Sequence, residues 1–404
     1  MVMTILDRQR YWAFLKAYVV CFVSLVGLYI VIDAFTQLDE FLKISDGTGS
    51  LLKLMGRYYL VRISRFYDQL CGVITLLAAI FTVTWMQRNN EHIAMMAAGI
   101  STHRAIVPVI VSSCLISLVA IVNQECVIPQ VAEELQRTPD DDGNRKVKTY
   151  SRRDVNDILI HSSFAYRSDL SIEPFNATFP TNRYGLMLHV SARTAQYIPH
   201  DATGTPFRGG WLIRAAQLSP ADAPVDGTVI TRIDPQPTAN LLSLGMGKTL
   251  ADALVEAFPE PRNHSAGQDT GTYFLRTNLT FLTLIQSLQW YQYAATSDLV
   301  RATQDPTFTA ERQEISVFLH FRNLRPLLSL VMLGLSLPLV LGGYGRNMFI
   351  NLGFSLGTSA IFYTAIFITQ WLGNNRMLSP ELAAWAPLIG FGSLAASRWD
   401  RIRT

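Results

Sequence analysis

Charged side chains are scarce in this sequence. Asp, Glu, Lys and Arg make up 16% of its 404 residues, and hydrophobic residues make up 49%. Soluble domains carry about 25% charged residues. This deficit, together with several long apolar runs, predicts an integral membrane protein. The net charge is only +3 and the basic residues are dispersed, so nothing indicates nucleic-acid binding.

Cysteine is also rare, and motifs of catalysis are missing. The four cysteines lie in or beside apolar runs, so we expect no disulfide framework. No GxxxxGKS/T motif is present, so the chain is not itself a P-loop ATPase, and there is no HxxxH or HExxH motif. His92 and His103 would need one continuous helix to share a metal ion, and Gly99 interrupts it. We expect no cofactor, no metal ion and no enzymatic activity.

Six apolar runs are candidates for membrane-spanning helices, each of which needs about 20 residues to cross the hydrocarbon. They are Tyr11–Phe35, Tyr58–Met86, Ala105–Val122, Pro326–Gly342, Met348–Leu372 and Glu381–Ala396. A polar section from Pro129 to His320 separates the third run from the fourth. The chain is thus predicted to be an α-helical membrane protein with six transmembrane helices, three before and three after an inserted domain.

The inserted section alternates apolar and polar residues, which is typical of β-strands. The candidate strands are Ile158–Tyr166, Tyr184–Tyr197, Gly210–Leu218, Gly227–Ile233 and Thr272–Leu279. Short, regularly spaced strands favour an all-β sandwich or jellyroll. Two helices, Phe281–Tyr293 and Ala310–Phe321, are predicted to lead back to the membrane. The expected domains are 1–126, 127–318 and 319–404, with the β-strands in the middle one.

Basic residues indicate the orientation, because cytoplasmic segments carry an excess of Lys and Arg. These residues fall mainly on one side of the predicted spans: Arg8, Arg10, Arg88, Arg104, Arg346 and the tail Arg398–Arg403. We therefore expect both termini to be cytoplasmic and the inserted domain to lie outside.

The segment Asn90–Ser101, between the second and third runs, is predicted to be a short helix on the cytoplasmic side. Asn90 can cap its start and Gly99 can take the left-handed conformation that ends a helix. At 100° per residue, two faces result: Ile93, Met96, Ala97 and Ile100 on one, and Glu91, Ala94, Met95 and Ala98 on the other. Packing on the chain's own bundle and close approach of a partner are equally compatible with these faces.

Polar and small residues form stripes on two of the apolar runs. Arg62, Arg65, Asp68 and Gln69 recur at three- and four-residue steps on the second run. Either the arginines reach the lipid headgroups, or Arg65 and Asp68 pair and line a cavity that binds anionic headgroups. Small residues on the fifth run, Gly353, Gly357 and Ala360, favour packing within the chain over a seam with a second subunit.

Three segments resemble the LptF/LptG (YjgP/YjgQ) permease family. They are Asn90-Glu91 with the following Ala97–Ser101, Asn123–Glu125 with Ile128-Pro129, and Ser379–Pro387. The layout of three spans, a β-rich insert and three spans resembles that family too. The resemblance implies a subunit of the lipopolysaccharide export machine in the bacterial inner membrane.

The resemblance also implies partners and site residues. A second permease subunit would complete a heterodimer whose first and fifth helices line a lipid cavity. The periplasmic jellyroll would pass the glycolipid to a bridge of similar jellyrolls, and a cytoplasmic LptB-type ATPase dimer would grip a coupling helix at 87–103. The coupling residues would be Glu91, Met95, Ala98, Gly99 and Ile100.

Candidates for headgroup contact are Lys43, Arg62, Arg65 and Asp68. Some family members place lysines near the outer end of the first helix, where the only basic residue of this sequence is Lys43. The alternative function is a membrane-anchored scaffold or sensor whose β-domain binds a ligand, although no cytoplasmic segment is long enough for a signalling domain.

Overall fold

The computed structural model describes residues 5–44, 48–136, 146–185, 187–201, 207–220, 229–233, 271–287, 289–341 and 348–399. The chain divides into two compact units. The helical unit comprises Met1–Asp140, Tyr291–Thr303 and Ala310–Thr404, and the β unit comprises Asp141–Trp290 and Gln304–Thr309. The predicted division at 127–318 differs from this one, because helical segments on both sides of the strands belong to the helical unit.

The long helices of the helical unit follow the predicted apolar runs. They are α1 (Ile5–Thr36), α3 (Thr48–Arg88), α5 (Thr102–Val122), α11 (Arg312–Leu341), α12 (Met348–Asn374) and α13 (Pro380–Trp399). Shorter helices are α2 (Leu38–Ile44), α4 (Glu91–Ala97), α6 (Ile128–Gln130), α7 (Ala132–Gln136) and α10 (Thr296–Gln304). A π-helical turn, Asn123–Val127, continues α5 into α6. The helix predicted at Ala310–Phe321 is not separate, because it forms the start of α11.

Five of the described helices are long and apolar enough to cross a membrane: α1, α3, α5, α11 and α12. Hydroxyl groups within them bond to the carbonyl four residues earlier, as Thr75 does to Cys71 and Ser112 to Pro108. Such bonds satisfy polar groups where water is absent. The sixth predicted span forms α13, a 20-residue helix. Its buried Ala383, Ala384 and Ala395 belong to the same apolar core as the other long helices.

Helix α1 is bonded to its neighbours near both ends. Close to its C-terminus, the hydroxyl of Tyr59 donates to Asp33 (3.0 Å) and that of Tyr58 donates to Gln37 (2.7 Å). Close to its N-terminus, the guanidinium of Arg10 is 8% exposed and donates to the carbonyl of Ala105 on α5 (2.5 Å). Polar contacts therefore hold this apolar helix at each end.

The described part of the β unit forms an antiparallel structure of eleven strands. The strands are β1 (Val147–Lys148), β2 (Arg152–Arg153), β3 (Leu159–His161), β4 (Phe164–Tyr166), β5 (Ser171–Glu173), β6 (Phe175–Phe179), β7 (Leu188–Ala192), β8 (Thr194–Ile198), β9 (Gly210–Ser219), β10 (Ile230–Ile233) and β11 (Gly271–Arg276). Short helices α8 (Thr181–Tyr184) and α9 (Phe281–Ile285) accompany them. The helix predicted at Phe281–Tyr293 is instead α9 followed by a 3-10 turn, Trp290–Gln292.

Strand β9 joins the two sheets of the β unit. Its first half pairs with β8 and β11, and its second half pairs with β7. Two predicted strands are split in the structure, since Ile158–Tyr166 contains β3 and β4 and Tyr184–Tyr197 contains β7 and β8. Apolar side chains from both sheets, including the fully buried Trp211 and Phe175, form one core. The predicted all-β inserted domain is confirmed.

Candidate functional site

The loop between α3 and α5 contains the short helix α4. Asn90 precedes it with φ +56° and makes no side-chain cap, so the predicted Asn90 cap is wrong. Asn is one of the few residues that accept this left-handed conformation, and here its backbone alone makes the turn. Gly99 has φ +76°, which confirms the predicted left-handed end of the segment.

The two faces of α4 differ in exposure. Met95 is 7% exposed and packs into the core of the helical unit, whereas Ile93 is 56% exposed and Met96 41% exposed. We predicted that Met95 contacts a partner together with Glu91. For Met95 this prediction is corrected, because its side chain faces the chain's own helices. Ala98 and Gly99 are exposed, while Glu91 and Ile100 are half-buried. The open apolar surface is therefore formed by Ile93 and Met96.

Two polar side chains attach α4 to its surroundings. Arg10 of α1 contacts the sulfur of Met95 in addition to the Ala105 carbonyl. His92 is within 3.2 Å of the Thr102 hydroxyl, through Nε2. Burial lowers the pKa of His92, and the charge of Arg10 lowers it further, so the ring is neutral at neutral pH. Helix α4 is thus joined to both α1 and α5.

The side chains of the polar stripe on α3 contact an arginine of α11 and two aromatic rings. Asp68 accepts a hydrogen bond from Arg325 of α11 at 2.6 Å, so the predicted Arg65–Asp68 pair is wrong. The guanidinium of Arg65 lies 5.0 Å from the ring centroid of Tyr293, and that of Arg62 lies 3.9 Å from the ring of Tyr58. Lys43, the remaining headgroup candidate, has a side chain outside the described residues.

A second ion pair lies at the end of α5, in the Asn123–Glu125 motif. Arg322 of α11 is 3% exposed and donates to Glu125 at 2.8 Å. It also donates to the backbone carbonyls of Ala294 (2.7 Å) and Gln124 (3.1 Å). Glu125 in turn accepts from the backbone N–H of Thr296 (3.0 Å) at the start of α10. The Glu125–Arg322 pair thereby connects α5, α10 and α11. In the sequence, only the Asn123–Glu125 motif indicated that this region is important.

A cavity of about 220 Å³ lies between α3, α5, α11 and α12. Its polar lining consists largely of long side chains: Asp68, Gln69, Gln124, Arg322, Arg325 and Gln370. Arg62 and Arg65, predicted to line a headgroup cavity, are not among the lining residues, whereas Asp68 is. The residues that sequence reasoning missed, Arg322 and Arg325, lie on α11, far from α3 in the chain.

The sequence profile of the family described as lipopolysaccharide export system permease LptF/LptG matches residues 8–154 and 243–401. The chain belongs to the LptF/LptG family. It is therefore a membrane-spanning permease of a lipopolysaccharide export system, in a family whose members are permease subunits and not themselves ATPases. No curated protein matches the chain significantly.

The family match covers both candidate sites of this LptF/LptG chain. Helix α4 and Asp68 fall in the first matched segment, and Arg322 and Arg325 fall in the second. Residues 155–242, which contain β3 to β10, lie outside the family match. The family relationship is thus carried by the membrane helices more than by the β unit.

The surface of this LptF/LptG permease also shows where its own helices do not pack. In α1 and in α12, only 17% of the most apolar stretch of the helix is buried inside the protein, whereas in α3 the buried share is 61%. A Cβ atom added at Gly353 or Gly357 would meet no atom of the described residues within 4 Å. We predicted that the small-residue stripe Gly353, Gly357 and Ala360 packs within the chain. For the two glycines this prediction is therefore wrong. Among the described residues no group of three or more His, Cys, Asp or Glu could hold a metal ion.

Proposed function

We propose that this chain is the permease subunit of an ABC-type exporter of the bacterial inner membrane. It extracts lipopolysaccharide or a related glycolipid and passes it through its periplasmic β unit to a bridge of similar jellyrolls. A separate LptB-type ATPase dimer supplies the energy. The observation that carries the proposal is an exposed apolar surface on α4 within a chain of a permease family.

Helix α4 suits the ATPase because of what it exposes. Ile93 and Met96 offer apolar area, and the small Ala98 and Gly99 allow close approach. Glu91 adds one carboxylate in the first turn. The proposed coupling surface is therefore Glu91, Ile93, Met96, Ala98, Gly99 and Ile100, with Met95 behind it as the contact to Arg10.

Helices α1 and α12 suit a second LptF/LptG-type subunit and the lipid. They have the least buried apolar stretches among the five candidate spans. The open glycines of α12 permit a neighbouring helix to approach closely, as small residues do in membranes. These two helices are the first and fifth spans, which matches the cavity-lining helices expected from the family resemblance.

Charge reversal at Glu91 tests the assignment of α4. We expect Glu91→Lys to weaken co-purification with the ATPase at least about tenfold, since a buried or partly buried charge contact contributes about 1.5–3 kcal/mol. The matched control, Glu134→Lys, reverses a charge on α7, which the proposed topology places on the other side of the membrane. Because Glu91 also interacts electrostatically with Arg10, Ile93→Asp provides a second variant at an exposed position. ATPase binding unchanged in both variants would refute the coupling role of α4.

Thiol labelling tests the orientation. In a variant whose own cysteines are replaced by Ala, a cysteine at the exposed Met187 of the β unit should react with an impermeant maleimide from the periplasmic side. A cysteine at the exposed Arg88, beside α4, should react only after the membrane is opened. The opposite pattern would reverse the proposed topology. A scaffold or sensor function predicts the same labelling, but it predicts no ATPase bound at α4.

A further inference from the structure

Two arginines line the cavity between α3, α5, α11 and α12, and some of their N–H donors make no hydrogen bond to the described residues. Arg325 is 43% exposed on its side chain, and among the described residues only its Nη1 makes a hydrogen bond, to Asp68. The Nε of Arg322 is buried and has no hydrogen-bond partner among the described residues. Ionised groups at membrane depth are costly and mark functional sites.

The described residues that line the cavity carry two positive charges and one negative charge. Asp68 is the only acidic residue among the described lining residues, while two arginines line it. Glu125, which neutralises Arg322, is not a lining residue and is bonded toward α10. An incoming ligand therefore meets one carboxylate and two guanidinium groups, with the amides of Gln69, Gln124 and Gln370 around them.

The walls of the cavity are close-packed on one side and apolar on the other. The hydroxyl of Tyr363 lies where a Cβ of Gly72 would be 2.7 Å away, so glycine at 72 lets the hydroxyl reach the backbone of α3. Phe318, Phe321 and Phe362 supply the apolar part of the lining. The volume is far above the roughly 10–15 Å³ that one water needs.

We propose that this cavity binds a phosphate group, carried by a lipid or free in solution. Guanidinium groups bind phosphate through two parallel hydrogen bonds, and Arg325 has unused donors for such a pair. The aromatic wall suits the glycerol and first methylene groups of a lipid. The site lies within one chain, apart from the open faces of α1 and α12, and it rests on the membrane placement in the proposed function.

The test uses the purified full chain in detergent, without ATPase or second subunit. Native mass spectrometry measures binding of dioctanoyl phosphatidic acid and of dioctanoylglycerol, which lacks the phosphate. We expect the phosphatidic acid to bind at least about tenfold more tightly, as charge-assisted hydrogen bonds require. Displacement by inorganic phosphate would identify free phosphate as a ligand, and its failure to displace would identify the lipid-borne group.

Two substitutions with opposite effects separate binding from folding. Arg325→Gln should weaken phosphatidic acid binding about tenfold, and Asp68→Asn should strengthen it, because it removes the competing carboxylate. Arg301→Gln, at an exposed position of α10, should leave it unchanged. If Arg325→Gln does not fold, the doubly substituted Asp68→Asn, Arg325→Gln chain leaves the net charge of the cavity unchanged and should still bind weakly.

Equal binding of the two lipids, or weakening by Asp68→Asn as well as by Arg325→Gln, would overturn the proposal. Neither result depends on α4. Loss of ATPase binding in Glu91→Lys and loss of phosphate binding in Arg325→Gln are therefore independent, so each proposal can fail alone.

Discussion

Replacing Glu125 by Ala is expected to lower the free energy of unfolding of the helical unit by about 3–5 kcal/mol. The substitution leaves the guanidinium of Arg322 buried without its counter-charge, since that side chain is 3% exposed. It also removes the acceptor for the first N–H of α10. Unfolding of the full chain by SDS titration in mixed micelles, followed by circular dichroism, measures the change.

The control for this prediction is an ion pair at the surface. Glu134 lies 3.8 Å from Arg57, and both side chains are exposed. Glu134→Ala should cost less than about 1 kcal/mol. In the double variant Glu125→Ala, Arg322→Met the buried charge is gone, and much of the lost stability should return. Equal losses in Glu125→Ala and Glu134→Ala would show that the Glu125 pair is unimportant.

Replacing Gly210 by Val is expected to disrupt the β unit. A Cβ at this position would collide with the backbone carbonyl of Leu275 and lie 2.6 Å from the ring of Phe274. Backbone cannot move aside as a side chain can, so the cost should reach or exceed the upper end of the roughly 1–3 kcal/mol typical of overpacking. Strand β9 joins both sheets, and its distortion should therefore expose the whole unit to proteolysis.

Limited trypsin digestion of the full chain measures this effect. Thr194→Val, at an exposed position of the neighbouring strand β8, also introduces valine but replaces a side chain of nearly the same shape, and it should leave the digestion rate unchanged. A digestion rate for Gly210→Val equal to that of the control would mean that the β9–β11 pairing adjusts to the added side chain.

The membrane helices could be predicted from the sequence because hydropathy is a local property. The predicted run Ala105–Val122 lies inside α5, and Met348–Leu372 lies inside α12. Strand β6, Phe175–Phe179, was missed although it alternates, because it is short and bounded by prolines at both ends. Period-two alternation also continued across the break between β3 and β4.

The candidate site depended on contacts that no local pattern contains. Asp68 and Arg325 are 257 positions apart in the chain, so the spacing on α3 indicated Arg65 as the partner instead. Helical periodicity likewise placed Met95 and Ile93 correctly on different faces of α4. It did not show which of the two faces the helical bundle. Both errors have one cause: a sequence pattern defines faces, and only the fold assigns their neighbours.

The polar attachments at the two ends of α1 have a mechanical consequence. Arg10 and Asp33 are separated by about 35 Å of helix at 1.5 Å per residue. A helix attached in this way behaves as a stiff rod, so a tilt about one attachment displaces the other. Since Arg10 touches Met95 of α4, a movement of α4 acts on α1 at its Arg10 end, and a tilt of about 5° about that end would move the Asp33 end by about 3 Å. A small stroke on one side of the membrane would thereby become a lateral step on the other.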